Sequence, residues 1–210
     1  MIKTRKISKD RVGKIRQPKN TVIIAVEGTN KTEKIYFNNF DTGNQSYSIV
    51  IARGNDTDPL NLIYSLANEI KKRGLDLDNG DKAYCVFDVD LDPQKNRIIE
   101  EAKKQAIPLG IEIITSTPSI ELWFLLHYEY TTACLTNSEI MKKLKKYLPK
   151  YEKSYNIFLD ICSKTSLAVE RAKKLEQFQK SNKAIIGMVE ANPSTEIYKI
   201  IEYFQNNGWN

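Results

Sequence analysis

The sequence predicts an α/β fold with a mostly parallel sheet flanked by helices and a helical C-terminal extension. Between residues 21 and 115, short apolar runs typical of buried strands alternate with longer segments of helical periodicity. Strands that alternate with helices form parallel sheets with right-handed crossovers. After Pro118 the apolar residues recur mainly at helical spacing, which predicts that the rest of the chain is largely helical.

The first half of the chain supplies the predicted sheet. Strands are expected at residues 21–26, 47–52, 83–87 and 111–115. Helices are expected from near Glu33 with Thr32 as N-cap, from Pro59 to Gly74, and from Pro93 to about Ala106. A hydroxyl at an N-cap accepts a hydrogen bond from a free first-turn N–H, and proline is tolerated at the first helical position.

The second half is expected to add helices and one strand. The helices are predicted at residues 119–128, 136–147 and 165–179. A last strand is expected at residues 184–189. A final helix is expected to begin at Asn192-Pro193, with the asparagine as its cap and the proline at its first position.

Composition narrows the class of protein. A chain of 210 residues is long enough to bury the core of one domain, with or without an appendage. No apolar stretch approaches the roughly 20 residues that a membrane span needs, and the basic start lacks the apolar segment of a secretory signal. Three separate cysteines form no CxxC pair. A reduced, cytoplasmic protein without a disulfide framework is therefore expected.

The positive charge is concentrated at the N-terminal end. The net charge is +6, but residues 1–20 contain eight basic residues against one acid, so the remainder carries −1. We expect residues 1–20 to form a basic arm without a core of its own. Such an arm is suited to contact a nucleic acid, although a solubilising tail has the same composition.

Acidic residues follow two of the predicted core strands. Glu27 follows the first, and Asp88 and Asp90 follow the third. Residues two apart on a strand share a face, so Asp88 and Asp90 are expected to point the same way. Paired carboxylates suit a bound Mg²⁺, and strand ends of this kind line the crevice of an α/β sheet. The pattern predicts a metal-dependent phosphoryl-transfer site, with solvated turn acids as the alternative.

Three further residues are candidates for this site. Glu33 lies in a first helical turn, where any carboxylate is favoured by the helix dipole, and it could also be a metal ligand. Glu121 lies in an apolar segment, where a buried carboxylate needs a partner or a cation, unless it faces water. His127, the only histidine, is a supporting group or a structural residue. Six residues separate Glu121 from His127, so a direct dyad is not expected.

A lysine-rich segment is the candidate nucleic-acid surface. It contains Lys142, Lys143, Lys145 and Lys146. Three tyrosines, Tyr147, Tyr151 and Tyr155, follow these lysines in the sequence. Lysines beside exposed aromatic rings suit single-stranded nucleic acid, because charge holds the backbone while rings stack on bases. Lys31, in the loop after the first strand, is a further candidate for phosphate contact. A solvated helix face is the alternative.

The order of these motifs resembles that of RloB-like proteins, which are bacterial proteins linked to restriction and abortive-infection loci with a Toprim-type catalytic core. The matching motifs are Glu27-Gly28, Thr32-Glu33, Tyr36-Phe37, Asp88-x-Asp90, the segment from Glu121 to His127, and Asn192-Pro193 with Thr195. The resemblance implies a Toprim-like core at residues 21–128 and a helical part at residues 129–210 packed on it. It also implies that Glu27 is a ligand or proton-transfer group and that Asp88 and Asp90 bind Mg²⁺ or Mn²⁺.

The function implied by this resemblance is a divalent-metal-dependent nuclease that cleaves RNA or DNA in anti-phage defence. A partner ATPase of the defence locus, or a phage trigger, is a further expectation. The motifs favour neither DNA nor RNA and indicate no oligomeric state. Two other readings stay open: a haloacid-dehalogenase-like phosphatase, which also has an Asp-x-Asp after an apolar strand, and a non-catalytic nucleic-acid-binding component.

Overall fold

The computed structural model of the chain describes residues 19–27, 31–52 and 58–209. The predicted basic arm, residues 1–20, lies outside these ranges except for its last two residues, and the side chain of Lys31 lies outside them as well. Asn20 already belongs to the first strand. The described chain therefore begins almost directly with the sheet.

One five-stranded sheet, in the order β2-β1-β3-β4-β5, organises the described residues. The strands are β1 (Asn20–Val26), β2 (Tyr47–Ile51), β3 (Lys82–Asp88), β4 (Ile111–Thr117) and β5 (Ser194–Thr195). The first four strands pair in parallel, and β5 pairs antiparallel to the end of β4. The predicted α/β class with a mostly parallel sheet is confirmed.

Helices flank the sheet, most of them near the predicted positions. They are α1 (Lys31–Asn38), α2 (Pro59–Arg73), α3 (Gln94–Ala106), α4 (Glu121–Leu126), α5 (Asn137–Tyr147), α6 (Phe158–Ile161), α7 (Thr165–Ser181) and α8 (Ile197–Asn206). Helix α6 was not predicted, and α8 begins at Ile197 and not at Asn192-Pro193. The two ends of α2 show why local sequence signals were sufficient to predict this helix. The Asp58 carboxylate accepts from the Asn61 N–H, and Gly74 ends the helix in the left-handed conformation at φ 66°.

Alternate strand residues divide the core into two layers. Val22, Ile24 and Val26 of β1 belong to a cluster with apolar residues of α1 and of the helices from α4 to α8. Ile23 and Ala25 face the other way and pack with α2 and α3. This alternation follows from the two-residue period of a strand that is buried on both faces.

The segment from Ile120 to His127 is buried throughout, and α4 occupies only six of its residues. The helix predicted at residues 119–128 is therefore present but shorter. Its apolar residues contribute to the larger core cluster, which explains the composition of the segment. Within the described ranges, no helix is long and apolar enough to cross a membrane.

Three predicted features are wrong. Helix α1 begins at Lys31, so Thr32 is not its N-cap, and the Thr32 hydroxyl accepts from the backbone N–H of Ser154 at 3.2 Å. Residues 184–189 form no strand; they contain a turn and the start of a 3₁₀ helix at Val189, and the last strand is β5. Asn192 does not cap a helix, because its carboxamide exchanges hydrogen bonds with the backbone of Leu135.

Candidate carboxylate site

The carboxyl ends of β1 and β3 lie side by side in the sheet. The two strands are parallel neighbours, with Val26 paired to Val86, and the Glu27 N–H donates to the Val86 carbonyl at 3.2 Å. The chain leaves β1 towards α1 on one face and leaves β3 towards α3 on the other. Such a point of divergence opens the crevice in which α/β sheets bind ligands. Glu27 and Asp88 both lie at this point.

Asp88, the last residue of β3, is the centre of a group of acids. One of its oxygens, Oδ1, accepts from the Ile120 N–H at 2.9 Å. Burial raises the pKa of Asp88 well above its ordinary value, and the negative charges of four other acids raise it further: Glu33, Glu121, Glu27 and Asp90. The four other acids predicted as metal ligands therefore all lie within electrostatic reach of Asp88, and we refer to Asp88 and these four acids as the carboxylate cluster.

Glu33 lies in the first turn of α1 and is only 4% exposed. Its Oε2 atom is buried without a hydrogen-bond partner among the described residues. Burial raises the pKa of Glu33 to about 7, with the charges of Glu121 and Glu27 adding to the effect, whereas its own backbone N–H and Lys153 oppose it. An orphaned carboxylate oxygen that faces other carboxylates is an unfavourable arrangement unless a proton or a cation is present.

Glu27 is partly buried at the end of β1. Desolvation raises its pKa, Lys95 lowers it, Asp90 raises it, and the backbone N–H of Asp88 lowers it. Glu27 thus interacts with both predicted aspartates and with a lysine. The structure brings together the three acids that the sequence singled out at the two strand ends.

Asp90 does not continue the strand. Its φ is +50°, in the left-handed region, and its N–H donates to the Pro118 carbonyl at 3.1 Å. Strand β3 ends at Asp88, so the two-residue alternation of a strand does not position Asp90. The two carboxylates still lie close enough for the charge of Asp90 to raise the pKa of Asp88. The Asp90 carboxylate accepts from Lys95 Nζ at 2.5 Å and from Asn137 Nδ2 at 3.3 Å.

Glu121 is 5% exposed, and its two oxygens are occupied by hydroxyl donors. Ser119 Oγ donates to Oε2 at 2.7 Å, and the Tyr151 hydroxyl donates to Oε1 at 3.3 Å. The alternative that Glu121 faces water is therefore wrong. Tyr151 is also buried, so it is not one of the exposed rings expected beside the lysines.

His127 is a buried, neutral side chain. Its Nδ1 is 2.9 Å from the Trp123 carbonyl, an acceptor, so Nδ1 carries the proton, and Nε2 has no partner among the described residues. Burial lowers the pKa of His127 to about 4, and the nearby charges are those of Lys164 and Arg171. None of its described interactions involves the carboxylate cluster, which favours the structural role.

The lysine-rich segment forms helix α5, which begins at the cluster through Asn137. Lys142, Lys145 and Lys146 are exposed along it. Lys143 is different, because its Nζ is 2.7 Å from Glu129 Oε1. Tyr147 is 42% exposed and stacks on Tyr128, with ring centroids 4.8 Å apart. One exposed ring, Tyr147, stacked on the partly buried Tyr128, therefore accompanies the three exposed lysines.

Sequence reasoning missed Lys95, Asn137, Ser119 and Tyr151, which contact the acids. Lys95 is the one that carried a signal. It lies in the first turn of α3, where the helix dipole disfavours a cation, so its position calls for an acidic partner. Ser119 is only two residues from its partner Glu121, but a serine at that spacing gives no specific signal. Asn137 and Tyr151 could not be found, because their partners are distant in the sequence.

The donor set of the cluster fits a hard divalent cation. Its five members present oxygen atoms alone, which suit Mg²⁺ or Mn²⁺, and the orphaned Glu33 oxygen lacks a partner that a cation would supply. The acids are not already arranged around a single ion position, since the described residues contain no group of three or more Asp, Glu, His or Cys side chains placed to hold an ion. Lys95 and the hydroxyls of Ser119 and Tyr151 take up part of the oxygen set.

Comparisons with known proteins place the chain in a family. Searches of curated proteins and of solved structures gave no significant match. A family model described as RloB-like protein matches residues 22–204, which is most of the chain and includes every member of the carboxylate cluster. The chain belongs to the RloB-like family.

Proposed function

We propose that this protein is a divalent-metal-dependent nuclease of bacterial anti-phage defence, with a Toprim-type site. One observation carries the proposal: Asp88, at the point where the sheet connections diverge, is buried within electrostatic reach of four other acids. Burial raises its pKa, and the charges of those acids raise it further. Such a concentration of negative charge in a crevice is characteristic of sites that hold cations and handle phosphates. Family membership supports the defence role.

Glu27, Asp88 and Asp90 would hold Mg²⁺ or Mn²⁺, and Glu33 or Glu121 would complete a second position. The bound ion would polarise the scissile phosphate and lower the pKa of a water molecule. The protein itself orients the ligands: the Ile120 N–H fixes Asp88, and Ser119 and Tyr151 fix Glu121. Burial of Glu33 and Glu121 keeps water from screening these charges.

The direction of helix α5 supports a nucleic-acid substrate. Asn137 at its start contacts Asp90, and Lys142 and Lys146 follow about 8 and 14 Å further along the axis. A strand held at the carboxylate cluster could continue along these lysines, whose charges would neutralise successive phosphates. The exposed Tyr147, which stacks on the partly buried Tyr128, lies at the far end of α5, where it could stack on a base.

The decisive experiment compares two cluster variants with a matched control. Asp88→Asn and Glu27→Gln remove one negative charge each and keep the shape of the side chain. We expect both to reduce Mn²⁺-dependent cleavage of RNA or DNA by at least about a hundredfold, because the ligand set is lost. Asp92→Asn is the control: Asp92 is exposed and accepts from the Gln94 N–H, a role that asparagine also fills.

Cleavage that persists at the wild-type rate in Asp88→Asn would refute the nuclease proposal. Because RloB-like proteins are linked to multi-component loci, the assay should include the co-expressed partner ATPase. Recovery of a phosphorylated Asp88 after incubation with a phosphate monoester would instead indicate a phosphatase.

A second candidate is a non-catalytic nucleic-acid-binding component. The observation that favours it is the lack of a preformed three-ligand metal group among residues 19–27, 31–52 and 58–209. In that case Asp88→Asn would leave protection against phage intact, whereas deletion of residues 1–20 would abolish it. The same two variants therefore separate the two functions in an infection assay.

A further inference from the structure

We infer that Lys95 is the internal counter-cation of the carboxylate cluster, that a divalent ion displaces its ammonium, and that the released ammonium then binds a substrate phosphate. The inference rests on the proposed function and deepens it, because it names the residue that couples metal binding to substrate binding. Nothing in the sequence motifs involves this lysine.

The first observation is the set of acids with which the Lys95 ammonium interacts. Its Nζ donates to Asp90 Oδ2 at 2.5 Å, and the charges of Glu27, Asp90 and Asp88 all stabilise its ammonium. These three acids are the ones expected to bind the metal. A positive charge that satisfies the same three carboxylates and a divalent ion that needs them would compete for one place.

The second observation is that this ion pair is only partly enclosed. The Lys95 side chain is 27% exposed and that of Asp90 is 45% exposed. A lysine at such a position can change rotamer without crossing a packed core, since its stem is flexible and its head remains hydrated. The Lys95 ammonium can therefore move away from Asp90 when a divalent ion binds to the acids.

The third observation is the place to which Lys95 can turn. A cavity of about 240 Å³ adjoins the cluster, lined by Asp58, Pro59, Phe87, Asp88, Lys95, Ile98 and Ile99. Its walls are mainly apolar, with Lys95 as the one cation among its lining residues. The volume lies just below the range of drug-sized ligand sites and suits a single nucleotide unit. An apolar wall beside a cation matches the base and the phosphate of such a unit.

The experiment measures Mn²⁺ affinity by isothermal titration calorimetry for the wild type and three variants. Lys95→Met removes the charge and keeps an unbranched stem, and we expect Mn²⁺ to bind at least about tenfold more tightly. Lys95→Arg keeps the charge and should bind Mn²⁺ like the wild type. Lys104→Met removes an exposed lysine of the same helix and should also leave the affinity unchanged.

A second titration uses adenosine 5′-monophosphate at saturating Mn²⁺. Loss of a charged hydrogen bond to phosphate predicts binding at least about tenfold weaker in Lys95→Met, with no change in Lys104→Met. Nucleotide binding that is unaffected in Lys95→Met would overturn the role in substrate binding. Mn²⁺ affinity that is equal to or weaker than the wild-type value would overturn the role as counter-cation.

Folding gives an independent readout. If Lys95→Met is unstable without metal, because its acids then lack a counter-ion, Mn²⁺ should raise its melting temperature more than that of the wild type. An equal or smaller rise would contradict the inference. Failure of every variant and of the wild type to bind Mn²⁺ would refute the proposed function itself, whereas equal binding by all of them would refute only the role of Lys95.

Discussion

Glu33 and Asp88 are buried acids that favour the protonated state. Each loses hydration and faces other carboxylates, so its pKa is raised. A nearby positive charge would lower these pKa values. Lys95, however, forms its hydrogen bond with Asp90, and Lys153 lowers the pKa of Glu33 only slightly. The site is therefore less stable in its fully ionised, metal-free form than a typical surface cluster.

The first prediction concerns the stability of the metal-free protein. The folded protein binds the Glu33 proton more tightly than the unfolded chain, with a pKa of about 7 against 4.5. The free energy of unfolding should fall as the pH rises from about 4.5 to about 7. Glu33→Gln removes this loss, so it should stabilise the protein at pH 8 by up to about 3 kcal/mol and have little effect at pH 4.

Urea unfolding in the presence of a chelator measures this difference at both pH values. Glu100→Gln, at an exposed position of α3, is the control and should change stability by less than about 0.5 kcal/mol at either pH. A Glu33→Gln variant that is less stable than the wild type at pH 8 would show that Glu33 is charged and well paired.

The second prediction concerns protons released on metal binding. Metal ligands bind as carboxylates, so acids that are protonated near neutral pH must lose protons when the ion binds. At pH 6.5 the enthalpy of Mn²⁺ binding should therefore vary with the ionisation enthalpy of the buffer. This dependence should decline at pH 8.5, above the Glu33 pKa of about 7. A buffer-independent enthalpy at pH 6.5 would contradict the protonated site.

At the scale of elements, α4 joins the sheet to the C-terminal helices. It follows β4 closely, so the Ile120 N–H just before it reaches Asp88, and its Trp123 side chain reaches α1. Trp123 Nε1 donates to the Tyr36 hydroxyl at 2.8 Å, and both side chains are fully buried. This contact ties α4 to the helix that carries Glu33.

The third prediction is a coupling between Tyr36 and Trp123. Tyr36→Phe leaves the indole N–H buried without a partner, which should cost about 1–3 kcal/mol of unfolding free energy. Trp123→Phe leaves the Tyr36 hydroxyl unpaired in the same way and also removes volume from the core. The double variant should lose less unfolding free energy than the two single variants together, because it contains neither the unpaired indole N–H nor the unpaired hydroxyl.

Chemical denaturation of the four proteins gives this coupling energy directly. Tyr64→Phe, at a residue that is 49% exposed, serves as the control and should be close to neutral. Strictly additive losses would mean that the hydrogen bond contributes nothing to the docking of α1 on α4.

At the scale of the whole molecule, charge is distributed unevenly. The cluster places acids at the centre of the crevice, whereas α5 presents exposed lysines that lead away from it. Residues 1–20 add a local charge of +7 to a remainder of −1. A polyanion would be attracted by the exposed lysines of α5 and by the net positive charge of residues 1–20, and it would reach the acids only with a cation between them.

The fourth prediction tests the lysines of α5. Replacing Lys142, Lys145 and Lys146 by glutamine should weaken binding of a single-stranded oligonucleotide and reduce the slope of log affinity against log salt by about 2–3. The control replaces Lys71, Lys72 and Lys104, which are exposed on α2 and α3, and should leave the slope unchanged. Fluorescence anisotropy over a salt series measures both. An unchanged slope in the α5 variant would exclude phosphate contacts there.

The sequence by itself determined the order of the elements from β1 to β4 and the place of the main acids. Apolar runs at strand period, the Asp58–Gly74 helix boundaries, and Glu27 and Asp88 at two strand ends were all readable. These signals are local, since period, capping and proline position depend on neighbours within a few residues. The prediction failed at Asn192, where a residue typical of a helix cap instead forms hydrogen bonds with the backbone of Leu135.

Only the tertiary structure decided which residues meet. It placed β5 against the end of β4, turned Asp90 towards Lys95 and Asn137, and buried Glu33 and Glu121 beside Asp88. These contacts join residues that are distant in the sequence, and they depend on the packing of α1, α4 and α5 on one face of the sheet. The raised pKa values follow from that packing, and the contact of Lys95 with Asp90 follows from the position of α3 on the other face, directly after β3. Burial and the sum of nearby charges are properties of the folded chain alone.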